Sequence, residues 1–355
     1  MSRFLTSRLK SLEPYTPGEQ PQIKNLIKLN TNESPFPPSE NAIKMAGKAC
    51  EELQLYPDPE CKALTESIAE MLGVDKSEVL VTNGSDEILN FAFMAFCDDK
   101  KGAAFPDITY GFYKVFAQLN NVPYREIPLD DKLNIRIQDY MDGEETLFSA
   151  NPNAPTGILL EPEVIEQIVS SNPDRIVVVD EAYVDFGGRS CVPLIKKYDN
   201  LLVTQTFSKS RSMACARLGF GVGCKELIRD LNTIKYSTNP YNINKMTMAA
   251  GIGALMDEKY TKTNCKTICE NREEASRKLE EAGFEVTPSL TNFIFAKHPK
   301  ISGEKIYSKL REKGILVRHF NAERIVDYNR ITVGTKEQMD KLLIAINDIL
   351  EGECL

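Results

Sequence analysis

The chain has 355 residues, which at about 150 per domain suggests two domains and leaves ample length for a large core. It is 42% hydrophobic and 26% charged, an ordinary composition that excludes a disordered, collagen-like or disulfide-framework protein. The net charge of −8 and the lack of any Lys/Arg cluster argue against nucleic-acid binding, and no segment approaches the ~20 apolar residues of a membrane span.

The N-terminus, Met-Ser-Arg-Phe-Leu-Thr-Ser-Arg, lacks a signal-peptide apolar run, and the nine scattered Cys form no CxxC pair, which together favour a reduced, cytoplasmic protein. With only His298 and His319 present, no Cys/His set has zinc spacing, so no metal is expected. Ser11 to Pro38 is rich in Pro, Asn and Glu and predicts an extended arm. Ser39 to Leu53 predicts a helix capped by Ser39, and Glu60 to Leu72 a second.

From there strands and helices alternate. Val79–Thr82 predicts a strand, followed by Asn83-Gly84-Ser85 and an apolar helix to Phe96. Ala103–Phe105, Thr146–Ala150, Arg175–Val179, Leu201–Thr204 and Phe220–Val222 predict further strands, with helices at Tyr110–Asn120 and Glu161–Ser170. The β-branched run Arg175–Val179 is what a strand buried on both faces requires. This alternation predicts an α/β domain with a mostly parallel sheet over residues 39–243, preceded by the arm at 1–38, which packs with the small domain or a partner subunit. Beyond Asn244 a long charged helix (Asp257–Ala282), four short strands and two more helices predict a smaller α+β domain at 244–355.

In open parallel sheets ligands gather at the carboxyl ends of strands. The exits here carry Asn83-Gly84-Ser85-Asp86, Asn151 to Gly157, Asp180-Glu181-Ala182-Tyr183, and Thr206-Phe207-Ser208-Lys209, with Arg217 eight positions on. The Asn-Gly-Ser turn opens a helix whose free N–H groups suit an anion. Asp180 ends an apolar strand and needs a cationic partner. Lys209, beside hydroxyls, suits a Schiff base. One ligand meets all three demands, pyridoxal phosphate, with its pyridinium, aldehyde and phosphate. No G-x-G-x-x-G follows any predicted strand, which argues against a dinucleotide enzyme.

In this order and spacing these motifs, with Leu29-Asn30-Thr31-Asn32-Glu33-Ser34-Pro35 and Tyr56-Pro57-Asp58, resemble the fold-type-I pyridoxal-phosphate-dependent aminotransferases. Within these they look like the histidinol-phosphate aminotransferase family, over nearly the whole chain. The resemblance implies a transaminase of histidine biosynthesis, with Lys209 as the Schiff-base and proton-carrying lysine, Asp180 on the pyridine nitrogen, and Tyr183 and Asn153 on the ring's phenolic oxygen. It implies Tyr110 on the ring face, and the backbone of Ser85 and Asp86 with Thr206, Ser208 and Arg217 on the phosphate. It further implies a homodimer in which Tyr56 reaches the neighbouring subunit's phosphate, Arg330 on the substrate's acidic group, and Tyr15, Asn32 and Arg318 lining the substrate pocket.

Two departures stand out. Ala154 holds the place of the Asn that usually precedes Pro-Thr-Gly, and Ser210 to Ala216 replaces a Leu-Ala-Gly-like stretch. An aromatic-amino-acid aminotransferase, a threonine-phosphate decarboxylase and a non-catalytic sensor are the alternatives, and the intact Lys209, Asp180 and Arg217 argue against the last.

Overall fold

The computed structural model describes residues 2–10, 12–21 and 25–353. Its centre is a seven-stranded sheet of β1 (Val79–Thr82), β2 (Ala103–Pro106), β3 (Tyr124–Ile127), β4 (Thr146–Ala150), β5 (Val177–Asp180), β6 (Leu201–Thr206) and β7 (Gly219–Gly223). The spatial order is β1-β7-β6-β5-β4-β2-β3; β7 runs antiparallel to both its neighbours and all other pairs are parallel.

Alternation along the strands buries both faces of this sheet in its core. Val177, Val179, Leu201 and Val203 enter the core on one face, with Ile165 and Ile168 of the helix Pro162–Ser171. Val178, Leu202 and Phe148 enter the other, with Phe91 and Phe93 of the helix Ser85–Phe96 and Tyr113 of the helix Phe112–Asn120. Each fully buried Val or Leu contributes about 1.5–3 kcal/mol, which is why the central strands read as continuous apolar runs.

A second core belongs to a four-stranded antiparallel sheet of β8 (Glu285–Val286), β9 (Phe293–Lys297), β10 (Arg318–His319) and β11 (Tyr328–Thr332), ordered β10-β11-β9-β8. The helices Glu258–Glu281 and Lys336–Glu353 cover it through Ile268, Ala275, Leu279, Leu342 and Ile346. The helix Lys245–Met256, by contrast, places Met248, Ala250 and Ala254 in the core of the large sheet. The change of core therefore falls at Asp257, beyond the expected boundary at Asn244.

The N-terminal arm lies on the smaller unit. Ile27–Lys28 pairs in parallel with Ile315–Leu316, Leu29 is buried in the second core, and Glu19 hydrogen-bonds Tyr307 and ion-pairs with Arg311. Ser39 caps the helix Glu40–Ala49 by accepting from the N–H of Ala42.

Candidate active site

Strand register brings the chemistry together. Ala150, Asp180 and Thr204 are neighbours across β4, β5 and β6, and Thr206 lies beside Gly219 at the start of β7. Period-two alternation then sorts the side chains. Asp180 and Thr204 share one face and hydrogen-bond at 3.2 Å; Glu181 and Gln205 share the other and hydrogen-bond at 2.8 Å.

The face carrying Asp180 opens into a cavity lined by Ser85, Asp86, Tyr110, Tyr183, Thr206, Ser208, Lys209 and Arg217, with Ala150, Ala154, Ala182 and Ala214 between them. Nine residues expected from the sequence thus converge, Asp180 included. The four alanines, which keep the space open, were not anticipated. A wider groove of about 1070 Å³ is lined by Arg211 and Cys265 among others, and by none of the nine converging residues.

The phosphate end depends on close backbone approach. Gly84 is in the left-handed region (φ 76°), and a Cβ there would lie 2.6 Å from Nη2 of Arg217; one on Gly219 would lie 2.4 Å from the Ser85 nitrogen. The two glycines let the start of β7 abut the first turn of the helix Ser85–Phe96, where N–H groups lack intrahelical partners. Arg217 is itself left-handed (φ 53°), an uncommon conformation for a side-chain-bearing residue, and it lines the cavity. Thr206 Oγ1 and Ser208 Oγ are 3.0 Å apart at the same end.

At the other end, buried Asp180 accepts hydrogen bonds from Tyr113 Oη and Thr204 Oγ1, each at 3.2 Å. Burial pushes its carboxyl up to about 6; the nearby charge of Asp86 adds to this, and the two hydroxyls oppose it. Its hydrogen-bond partners among the described residues are these two hydroxyls and the Ala182 N–H, so the buried charge is met by neutral donors and not by a cation. A pyridinium nitrogen suits a buried carboxylate so placed, and the lysine amine and the helix N-terminus suit the rest of the cofactor. Tyr113 and Thr204 were absent from the sequence reading because they act only through Asp180.

Tyr183 Oη accepts from Asn32 Nδ2 at 2.9 Å, and Lys209 Nζ lies 5.7 Å from the Tyr183 ring centre. Asn32, left-handed at φ 54°, also bonds Thr332 of β11 through its N–H (2.9 Å) and its Oδ1 (3.1 Å), so the arm joins Tyr183 to the strand bearing Arg330. Arg330 lies over the Phe293 and Phe320 rings; one Nη donates to the Asn30 carbonyl (3.3 Å), while its buried Nε has no partner. Arg318 is held by the arm carbonyls of Thr16 (3.1 Å) and Pro17 (3.3 Å), and Tyr15 stacks on Phe112 (4.3 Å) beside Tyr110.

Six expected residues do not line this cavity: Asn32, Arg330, Arg318 and Tyr15, placed as above, and Asn153 and Tyr56. Asn153 donates to the Ile108 carbonyl (2.9 Å) and Thr156 Oγ1 (3.0 Å) and accepts from Thr109 Oγ1 (2.7 Å), so its amide is committed to the loop and the cavity wall is Ala154. Of the two residues expected on the ring oxygen, Tyr183 is therefore the one that lines the cavity. Tyr56 is 82% exposed, stacked on Tyr241 (4.7 Å) and outside the cavity lining.

Residues 24–346 match the family described as aminotransferase class I and II. The chain is 48% identical to the histidinol-phosphate aminotransferase of Brachyspira hyodysenteriae over 99% of its own length and 100% of the relative's, and 45% identical to that of Clostridium beijerinckii over 99% of each. The chain belongs to the histidinol-phosphate aminotransferase family. Its fold agrees with the crystal structure of a family member, the Sinorhizobium meliloti enzyme in complex with pyridoxal-5'-phosphate. The TM-score is 0.90 at 22% identity, covering 99% of each chain. Membership also accounts for the fold-type-I architecture: the strand order and the antiparallel β7 put all four polar exits at one edge of the sheet.

Proposed function

We propose that this chain is a pyridoxal-phosphate-dependent transaminase that exchanges the amino group of L-histidinol phosphate with 2-oxoglutarate in histidine biosynthesis, in the cytoplasm, as a homodimer. The observation that carries the reading is the convergence of a buried carboxylate without a cation, a lysine amine and a helix-end anion cradle in one cavity. The family relatives' names support the substrate pair.

Pyridoxal 5'-phosphate supplies a carbonyl carbon that takes up amines and a ring that draws off the electron pair left when Cα loses its proton. Asp180 keeps a proton on the ring nitrogen, and Tyr113 and Thr204 fix its orientation. Tyr110 would cover the ring face, and Tyr183 Oη, which accepts from Asn32, would be free to donate to the phenolic oxygen. The backbone of Ser85 and Asp86, with Thr206, Ser208 and Arg217, would bind the phosphate. Lys209 Nζ would hold the cofactor and, when freed, would carry the proton between substrate Cα and C4′ of the cofactor.

Arg330, with Nε unpartnered, takes the substrate's carboxylate or phosphate, since a guanidinium fork matches either oxyanion. Tyr15 and Arg318 complete the pocket from the arm side. An exposed tyrosine stacked on a second one, remote from its own cavity, fits contact with another copy of the chain, where Tyr56 reaches the neighbouring phosphate. The larger unit carries the cofactor, and the smaller unit with its arm carries the substrate-binding arginines.

Incubation with glutamate and imidazole-acetol phosphate is expected to yield 2-oxoglutarate and histidinol phosphate. Release of CO2 from threonine phosphate without that exchange, or a preference for aromatic amino acids, would overturn the substrate assignment. Replacing Arg330 by Ala is expected to raise KM for glutamate about tenfold to a hundredfold, the loss of one charge-assisted contact, with a smaller change in kcat. Steady-state kinetics check this, and an unchanged KM would move the anion contact elsewhere.

A further inference from the structure

The cradle contains a carboxylate that an anion site would not be expected to keep. Asp86 is the second residue of the helix Ser85–Phe96, and its side chain lines the cavity. Oδ1 accepts from Tyr110 Oη at 2.6 Å, and Oδ2 accepts from Arg217 Nη2 at 2.9 Å. The remaining hydrogen bond found for Arg217 runs from Nη1 to the Ala214 carbonyl at 3.3 Å, so Asp86 is its side-chain partner among the described residues. Tyr110 is packed among Tyr15, Phe112 and Tyr113, and its hydroxyl bond to Asp86 fixes how the ring is turned within them.

Charge alone makes this costly. A carboxylate beside a phosphate dianion repels it, and the same charge helps to push up the Asp180 carboxyl. An acidic residue in a first helical turn also favours the helix dipole, but that role requires neither Arg217 nor Tyr110. The feature that charge and dipole leave unexplained is the pair of short bonds to two groups from separate elements.

We propose, on the reading of the cavity given above, that Asp86 is a positioning residue: one carboxylate that holds the phosphate-binding guanidinium of Arg217 and the ring-covering phenol of Tyr110 in register with each other. Arg217 is half exposed and long, so without this partner it loses its fixed rotamer and the cofactor must order it on binding. Tyr110 likewise loses the bond that sets its plane. The backbone contacts at Ser85 and Asp86 contribute phosphate binding that does not depend on this side chain, so Asp86 changes affinity without making it.

The two accounts predict opposite signs. Removing a negative charge from a phosphate site tightens phosphate binding if charge dominates, and weakens it if the clamp dominates. The test is titration of cofactor-stripped wild type, Asp86→Asn and Tyr110→Phe with pyridoxal phosphate, followed by absorbance and by protein fluorescence, with inorganic phosphate as competitor. Asp86→Asn is expected to weaken pyridoxal phosphate about tenfold and inorganic phosphate in the same direction, with thermal unfolding of the stripped protein unchanged. Tyr110→Phe, which preserves the ring, is expected to weaken the cofactor less, and the double variant by less than the product of the two. Unchanged or tighter binding in Asp86→Asn, or strictly multiplicative effects, would overturn the clamp. A wild-type chain that took up no pyridoxal phosphate would overturn the proposed function itself, so the two failures are told apart by the unmutated protein.

Discussion

Lys209→Ala is expected to leave a folded protein that has lost nearly all transamination, about 10²–10⁴-fold from the missing proton carrier alone and more from the lost covalent attachment. Lys209 lines the cavity immediately after β6, on a segment fixed by the Ser208 N–H bond to Thr206 Oγ1 (3.1 Å) and by the Phe207 N–H bond to the Leu218 carbonyl (2.9 Å). Alanine removes a side chain at the mouth of the cavity without opening either core, since Lys209 belongs to neither. Fold and cofactor cradle therefore persist while covalent attachment does not. Borohydride reduction of the wild type loaded with pyridoxal phosphate should fix the cofactor on the peptide containing Lys209, read by mass spectrometry; the variant should yield no such peptide and should release its cofactor on dialysis. Retained turnover, or label on another lysine, would refute the assignment.

The legible part of this molecule is the part in which one residue type has one physical reason. Val177 to Val179 and Leu201 to Val203 are apolar because both faces of their strands are buried, and the residues just beyond them carry the chemistry because parallel strands end at the same edge. Less legible were elements whose pattern is set by context. Tyr124–Ile127 reads as loop because it is an edge strand with Arg125 and Glu126 exposed. Lys245–Met256 is Met-, Ala- and Gly-rich with no polar face, because it packs between the helices Glu40–Ala49 and Lys62–Leu72; without a 3.6-residue stripe it shows no periodicity to find.

Residues that act through another residue were invisible for a different reason. Nothing in the sequence around Tyr113 says that its hydroxyl meets Asp180; that follows only once the helix Phe112–Asn120 is laid on the face to which Asp180 points. Thr204 was within reach, since alternation puts it on the same face as Asp180 as soon as β5 and β6 are aligned. Asn153 was carried across by resemblance to a neighbouring position, and what the sequence could not show is that the loop itself takes both of its amide hydrogens.

Asp180→Asn is expected to have two opposite effects, one on activity and one on stability. With cofactor bound, turnover should fall on the order of 10³-fold, because an amide cannot hold the ring nitrogen's proton by charge and the electron sink weakens. Without cofactor, the variant should be the more stable protein at alkaline pH. The carboxyl of Asp180 is pushed from 3.8 to about 6 in the folded chain, so the folded state binds its proton more tightly than the unfolded one. A raised acid group of this kind costs no stability below about pH 4, and the cost grows as pH rises to about 6, after which it is constant. A shift of that size corresponds to about 3 kcal/mol at pH 8 and roughly half of that at pH 5. Asparagine cannot ionise and escapes the whole cost, while Tyr113 and Thr204 keep a side-chain partner of the same shape. Urea unfolding of the stripped proteins should therefore show a gap in favour of Asp180→Asn that is largest at pH 8 and narrows toward pH 5, and loading the wild type with pyridoxal phosphate should close it by giving the carboxylate its cation. Equal stabilities at pH 8 would mean that the folded chain already relieves the charge, removing the electrostatic reason for a pyridinium at this site.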